Sequence, residues 1–185
     1  MNDEPEILAR IKQGDESAFN QLVLENQKAV HMLALRMVGN PDDALDISQR
    51  AFIRAYKSIH NFRGDSSIAT WLYRITYNLT LKHLAAARVK RFLSLEGGTL
   101  PEPAVESTFN QTLQNDFRVN LQQAVAKLPP QQKAVFTFHH LQGLKLAETA
   151  EIMNLKIGSV KALHYHAIRK LRLALKDWKD VEFTG

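Results

Sequence analysis

The chain has 185 residues, of which 45% are hydrophobic and 23% are charged, a composition typical of a folded globular protein. Its 24 lysines and arginines outnumber 19 aspartates and glutamates, and the resulting net charge of +5 permits a polyanionic partner without requiring one. The absence of cysteine excludes a disulfide scaffold, a thiolate metal site and a cysteine nucleophile. An acidic start and the lack of any apolar run long enough to span a bilayer predict a cytoplasmic protein.

Hydrophobic periodicity predicts four helices in the first half of the chain. The first ends before Gly14, and Asp15 is placed to cap the second with its side-chain oxygen. Asn40, followed by a proline, is typical of the start of a third helix. A polar loop over 61–66 then precedes a fourth helix, which is expected to end near Lys90.

Charge divides the chain into three parts. Residues 1–92 mix both signs, whereas residues 93–116 contain no lysine or arginine and carry proline, glycine and acidic residues, which is typical of a flexible linker. Helical periodicity returns over 117–185. Because no segment sustains a two-residue alternation, we predict an all-α protein of two small helical domains joined by an acidic linker.

A helix-turn-helix is predicted over residues 146–165 of the C-terminal domain, which is expected to have four helices. Ala150 is small enough for two helices to cross, and Asn154, four positions later, tolerates a positive φ. Val160 and Leu163 of the second helix would face back toward the first. The remaining core positions are expected to be Leu146, Ile157 and Ala167.

The outer face of that second helix combines hydroxyl, aromatic, imidazole and cationic side chains, which suit contacts to the major groove and to phosphates. The solvated face of an ordinary helical hairpin is the alternative interpretation. The residues on this face are Ser159, Lys161, Ala162, Tyr165, His166 and Arg169.

The third helix places one apolar residue, Ile53, on an otherwise polar face, which is typical of a protein contact with a polar rim. A single exposed isoleucine needs no functional explanation, and periodicity alone favours that simpler interpretation. The polar face consists of Asp42, Asp46, Gln49, Arg50, Ile53 and Lys57, and the expected core stripe of Ala44, Leu45, Ala51, Phe52, Ala55, Tyr56 and Ile59.

The fourth helix interleaves aromatic and cationic side chains opposite its core stripe, a pattern that suits unstacked bases along a charged backbone. Phe62 and Arg63 in the preceding loop would supply a stacking ring and a phosphate partner. Packing of the tyrosines against the first helices explains the pattern equally well. The face consists of Thr70, Tyr73, Arg74, Tyr77, Asn78 and Lys82, and Trp71 is assigned to the core.

Nothing in the sequence indicates an enzyme. It contains no Gly-rich phosphate loop, no Gly-x-Ser-x-Gly motif and no His-Glu-x-x-His motif. His139 and His140 are adjacent and His164 and His166 are two positions apart, so neither pair shares a helix face that would hold a metal. We therefore expect no catalytic residue, no metal and no cofactor.

Three stretches, in this order, resemble bacterial RNA polymerase sigma factors of the small extracytoplasmic-function (ECF) type. Residues 46–56 are similar to the family's core-polymerase-binding helix, and residues 61–75, which begin Asn-Phe-Arg-Gly-Asp-Ser, to its −10 element segment. Residues 143–161 resemble the helix-turn-helix that binds the −35 element. Their joint occurrence at the family's spacing makes the resemblance specific, and it covers most of the chain outside the linker.

The resemblance implies a promoter-specificity subunit, with a region 2-like domain over 1–92 and a region 4-like domain over 117–185. The outer face of the helix-turn-helix would bind the −35 duplex. The core-polymerase surface would be Asp46, Gln49, Arg50, Ile53 and Lys57. The −10 surface would be a loop for a flipped base, Asn61, Phe62, Arg63, Gly64, Asp65, Ser66 and Ser67, with strand contacts from Tyr73, Arg74, Asn78 and Lys82.

The partners implied by the resemblance are core RNA polymerase, promoter DNA and an anti-sigma protein that covers the exposed docking faces, with no insertion into a membrane. We expect association with the nucleoid when the protein is bound to polymerase. A stand-alone helix-turn-helix regulator, whose N-terminal helices dimerise or sense a ligand, is the alternative. Arg50 departs from the acidic residue usual in the family, which alters the charge of the docking face.

Overall fold

The computed structural model describes residues 4–93 and 114–176, and within those ranges the chain is helical and contains no strand, which confirms the all-α prediction. It divides into two compact units, residues 1–95 and 96–185. The linker predicted over 93–116 lies, apart from its two ends, outside the described residues. None of the described helices has both the length and the apolar character needed to cross a bilayer.

Four helices build the N-terminal unit: α1 (Glu4–Lys12), α2 (Glu16–Val38), α3 (Pro41–Ser58) and α4 (Ile68–Leu93). A short 3-10 turn, Ile59–Asn61, follows α3 and leads into the loop before α4. The last three helices pack against one another around a shared apolar core, and α1 closes one side of it.

Local capping sets the start of α2, as the sequence predicts. The carboxylate of Asp15 accepts hydrogen bonds from the backbone N–H of Ser17 at 2.9 Å and of Ala18 at 3.2 Å. Arg10 pairs with the same carboxylate at 2.8 Å. The hydrogen bond from the Ser17 side chain, followed by the one from Arg10, lowers the pKa of Asp15 to about 2, so the cap stays ionised in ordinary buffers.

Two residues of the core stripe predicted for α3 are not in the core. Leu45 and Tyr56 are 51% and 52% exposed, whereas Ile47 and Ser48 are buried in their place. The row of buried side chains along α3 is therefore rotated about the helix axis, by roughly one residue, from the core stripe predicted from the sequence. The Tyr56 ring still packs edge-on against Phe19, with ring centroids 4.9 Å apart.

The C-terminal unit contains α5 (Gln114–Ala126), α6 (Pro130–Phe136), α7 (Leu146–Met153) and α8 (Ile157–Ala174). A five-residue π-helical turn, Thr137–Leu141, continues α6 before the chain reaches α7. Its core includes fully buried Phe136, Phe138 and Leu171.

The α7–α8 pair is the predicted helix-turn-helix. Asn154 ends α7 in the left-handed conformation, with φ 53° and ψ 48°, and is the only described non-glycine residue with a positive φ. Ala150 and Val160 are buried where the two helices meet. Ile157, predicted to be a core position, is 43% exposed, because the first residue of α8 has no turn before it to cover its side chain.

We expect Asn40→Ala to lower the free energy of unfolding of the N-terminal unit by about 1 kcal/mol. The substitution removes the side-chain oxygen that accepts a hydrogen bond from the Asp43 N–H at 3.0 Å at the start of α3. Urea denaturation followed by tryptophan fluorescence in a Trp178→Phe background, which leaves only Trp71 of α4 as a reporter, measures the change. Asn40→Ser keeps an acceptor and is the matched control, and equal midpoints for wild type and Asn40→Ala would contradict the prediction.

Candidate nucleic-acid interface

The outer face of α8 is polar and accessible. All six side chains predicted for it are exposed, and Tyr165 is 63% exposed. The opposite side of the helix buries Val160, Ala167 and Leu171 completely, so the orientation of α8 is fixed by its core contacts. The predicted face consists of Ser159, Lys161, Ala162, Tyr165, His166 and Arg169.

The charge of α8 suits a polyanion. The helix carries four lysines and arginines and no carboxylate along its 18 residues. Two carboxylates precede it in α7: that of Glu148 accepts a hydrogen bond from the Lys145 N–H at 2.7 Å at the start of its own helix, and Glu151 is exposed. Tyr165 and His166 lie edge-to-face, with ring centroids 5.5 Å apart, in the middle of the exposed face. This arrangement can offer cations to phosphates and an aromatic edge to bases.

The loop predicted to receive a base is only partly as expected. Asn61, Arg63 and Asp65 are exposed, but Phe62 is 7% exposed and packs on Trp71, with ring centroids 5.0 Å apart. In this conformation the Phe62 ring belongs to the core and is not available to stack on a base. The other residues predicted for this loop are Gly64 and Ser67, which are exposed, and Ser66, which is half-buried.

The α4 face is also less open than predicted. Tyr73 and Tyr77 are 9% and 2% exposed, and burial raises the pKa of both phenols, that of Tyr77 to about 12. Of the two interpretations of these tyrosines, the structure supports packing against the neighbouring helices. Thr70 is buried as well, so the accessible part of the predicted face is Asn78 and Lys82.

Arg74 lies between the buried and the accessible parts of this α4 face. Its side chain is half-buried, and its Nε atom is buried without a hydrogen-bond partner among the described residues. A buried N–H without a partner raises the free energy of the folded state, so an added acceptor near this guanidinium would be stabilising.

Helix α1 holds both ends of the loop, a contact that sequence reasoning missed. The ammonium of Lys12 donates a hydrogen bond to the Phe62 carbonyl at 2.8 Å. At the other end the Glu4 carboxylate accepts one from the Ile68 N–H at 3.4 Å. The partners are separated by 50 and 64 positions, and no local pattern signals such contacts.

The face of α3 that the sequence analysis assigned to core polymerase is fully accessible. Asp46, Gln49, Arg50, Ile53 and Lys57 are all exposed, and Ile53 is 55% exposed. Arg50 and Asp46 form an ion pair of 3.2 Å whose side chains are each 58% exposed. Such an exposed pair contributes little to stability, so both groups remain available to a partner.

The expectation that His139 and His140 would not face a common site is wrong. His140 and His164 lie with their Nε2 atoms 2.9 Å apart, and His139 lies beside both rings. Burial, with smaller contributions from His139 and His164, lowers the pKa of His140 to about 4, and burial also lowers the pKa of His164. The rings come from two elements, the π-helical turn and α8, so no pattern within a single helix indicates the cluster.

Two family descriptions match the chain. Residues 22–89 match Sigma-70 region 2, and residues 118–171 match Sigma-70, region 4. The first match covers most of α2, all of α3 and most of α4, and the second covers the helix-turn-helix. All residues of the three surfaces described above lie inside these two segments.

Relatives with assigned names align over nearly the whole chain. The ECF RNA polymerase sigma factor SigW of Bacillus subtilis is 34% identical, over 92% of this chain and 95% of its own length. The RNA polymerase sigma-H factor of Pseudomonas aeruginosa is 30% identical over 94% of both chains. The ECF RNA polymerase sigma-E factor of Escherichia coli is 34% identical over 87% of this chain and 88% of its own.

Solved structures share the fold. The sigma factor RpoE of Bartonella quintana, crystallised with the anti-sigma factor NepR, superposes with a TM-score of 0.72 at 21% identity, covering 88% of this chain and 98% of that one. CnrH, solved with the cytosolic domain of CnrY, gives 0.68 at 22% identity over 96% and 99%.

We expect Lys12→Met to loosen the loop before α4. Loss of a charge-assisted hydrogen bond removes ~1.5 kcal/mol of local stabilisation, which corresponds to roughly tenfold faster amide exchange. Hydrogen–deuterium exchange of residues 62–68 measures it. Lys28→Met, an exposed lysine of α2, is the matched control, and unchanged exchange in Lys12→Met would show that the contact does not restrain the loop.

Proposed function

The chain belongs to the ECF sigma factors, which direct RNA polymerase to promoters, and on this premise we propose that its three exposed surfaces divide promoter recognition among them. The observation that carries the proposal is the outer face of α8, which projects from a helix-turn-helix and bears cations and no carboxylate. The proposal assigns the chain no catalytic step. The protein binds DNA and polymerase, and it associates with the nucleoid when it is bound to polymerase.

The α8 face binds the −35 duplex in this proposal. Lys161 and Arg169 contact phosphates, while Tyr165 and His166 lie where base edges would be reached. Ser159 and Ala162 are small, so the first turns of the helix can approach the floor of the major groove closely. Every one of these side chains is exposed, which supports their assignment to DNA rather than to the core.

The loop before α4 receives an unpaired −10 base, and the exposed end of α4 follows the melted strand. Asn61, Arg63 and Asp65 supply accessible polar groups around Gly64, whose φ of 81° gives the loop its sharp turn. Asn78 and Lys82 continue this surface along α4. Phe62 and Tyr73, which are buried, act by supporting the loop and the helix.

The α3 face binds core polymerase. Ile53 is a single apolar residue within a rim formed by Asp46, Gln49, Arg50 and Lys57, which is the composition of a protein interface with a desolvated centre. Since the regions 1–92 and 117–185 carry different contacts, the linker 93–116 would raise the effective concentration of each contact for the other.

An anti-sigma protein would compete for this same α3 face. Leu45 and Ile53 are 51% and 55% exposed on one helix, and the free protein leaves both in water. Covering them would be favourable and would exclude polymerase, which is the simplest route to regulation through this surface.

The test of the proposal is runoff transcription with sigma-free core polymerase on a promoter library. The protein is expected to start RNA synthesis at defined sites and to co-purify with the core enzyme. Initiation at no defined site would overturn the proposal, and DNA binding without polymerase binding would instead indicate a stand-alone regulator.

We expect Ile53→Glu to weaken binding to core polymerase by about 30-fold, or ~2 kcal/mol, because a charge would replace the apolar centre of the interface. Fluorescence anisotropy of the labelled protein with core polymerase measures it. Leu24→Glu, at an exposed leucine of α2, is the matched control. Equal affinities for the two variants would place the docking surface elsewhere.

We expect Lys161→Gln to lower the slope of log affinity against log salt for −35 duplex DNA by about 1, since one phosphate contact is lost. Lys28→Gln, at an exposed lysine of α2 in the other unit, is the control. The same slope change in both variants would contradict docking through the predicted face.

A further inference from the structure

Three histidine rings from two elements of the C-terminal unit lie together. His139 and His140 belong to the π-helical turn, and His164 belongs to α8. One ring nitrogen from each lies within 4.8 Å of the others, and all three side chains are half-buried. None of the surfaces assigned above uses these rings.

We propose that His139, His140 and His164 form a binding site for one divalent transition-metal ion of the zinc class. The site is independent of the assigned DNA and polymerase surfaces. Imidazole is a ligand suited to Zn²⁺, Co²⁺, Ni²⁺ and Cu²⁺, and three imidazoles leave one coordination position for water or an added ligand.

The π-helical turn explains how neighbouring residues contribute to one site. In a regular α-helix, adjacent side chains point about 100° apart, which would send one of the two rings away from α8. The wider turn brings His139 and His140 to ring-centroid distances of 5.1 Å from His164. Such turns occur frequently at functional sites.

The tautomer of His139 is set by a contact outside the cluster. Its Nδ1 lies 2.8 Å from the Leu144 carbonyl oxygen, which can only accept a hydrogen bond. Nδ1 therefore carries the proton, and in the neutral ring Nε2 carries the lone pair. A backbone carbonyl that orients a histidine through its other nitrogen is the usual outer support of a metal-binding histidine.

The other two rings meet at their Nε2 atoms. His140 and His164 stack with ring planes 16° apart, and their Nε2 atoms approach to 2.9 Å. One ring donates to the other at this distance. To bind Zn²⁺ through both Nε2 atoms, the donor ring would take its other tautomer, with its proton on Nδ1. The metal would then hold the two Nε2 nitrogens about 3.3 Å apart, the separation for bonds of about 2.05 Å in a tetrahedral site. For this pair the adjustment is a few tenths of an ångström. The ring nitrogen of His139, which lies within 4.8 Å of the other two, has to approach them by up to about 1.5 Å.

A metal here would join the π-helical turn to α8. His164 lies next to Tyr165 on the helix assigned to the −35 element, although its ring points into the cluster. Binding to the folded unit alone would stabilise it by mass action and would restrain α8 against the turn.

The experiment uses the full chain without a histidine tag. Titration calorimetry with Zn²⁺ is expected to give one site per chain, and Co²⁺ is expected to give the visible absorption of a tetrahedral complex. His164→Gln and His139→Gln, made separately, should each weaken Zn²⁺ binding by about 100-fold or more, since losing a ligand costs at least as much as losing its support. His166→Gln, two positions along α8, should bind as wild type does.

A measurement on the unaltered protein covers the case in which a variant fails to fold. In long-range ¹⁵N spectra of the seven histidines, Zn²⁺ should shift the ring signals of the three cluster residues and leave the other four in place. No uptake, uptake that survives in His164→Gln, or equal shifts at all seven rings would each overturn the site.

Discussion

The row of buried side chains along α8 determines what the rest of the C-terminal unit can do. Val160, Ala167 and Leu171 have no accessible surface, and they fix the rotation of the helix about its own axis. Once that rotation is set, the polar side chains on the side of α8 opposite the buried row have to face outward. The left-handed residue Asn154 then sets the angle at which this helix leaves α7. The face proposed to bind DNA is thus a consequence of core packing, because its side chains occupy the side of α8 that packing leaves exposed.

In the N-terminal unit, core packing leaves much less of the candidate DNA-binding helix exposed. The middle of α4 is buried on nearly every side, and even Thr76 and Thr80 lie inside, with their hydroxyls donating to backbone carbonyls one turn earlier at 2.8 and 2.9 Å. Such a helix can present functional groups only at the few exposed positions between its buried rows, such as Asn78 and Lys82, and in the loop before it. Contacts from α1 hold both ends of that loop, and a loop held in this way would bind a base at a smaller entropic cost of ordering, as its proposed role requires.

Features governed by neighbouring residues could be predicted from the sequence. The caps at Asp15 and Asn40 and the turn at Asn154 depend on side chains within four positions, and all three have the predicted geometry. Features set by tertiary packing could not. Exposure of Leu45 and burial of Phe62 depend on how far each helix rotates against its partners, and periodicity locates a buried row only to within about one position. The histidine cluster required knowing that a π-helical turn and α8 are neighbours in space.

Helix α1 lies before residue 22, where the match to Sigma-70 region 2 begins. Its Lys12 and Glu4 nevertheless hold the two ends of the loop that lies inside that match. A shortened protein that starts at the family boundary would keep every residue proposed to contact the −10 element and lose the α1 contacts that hold their loop. On the proposed assignment, changes in α1 could therefore alter promoter preference during evolution while the residues assigned to DNA stay the same.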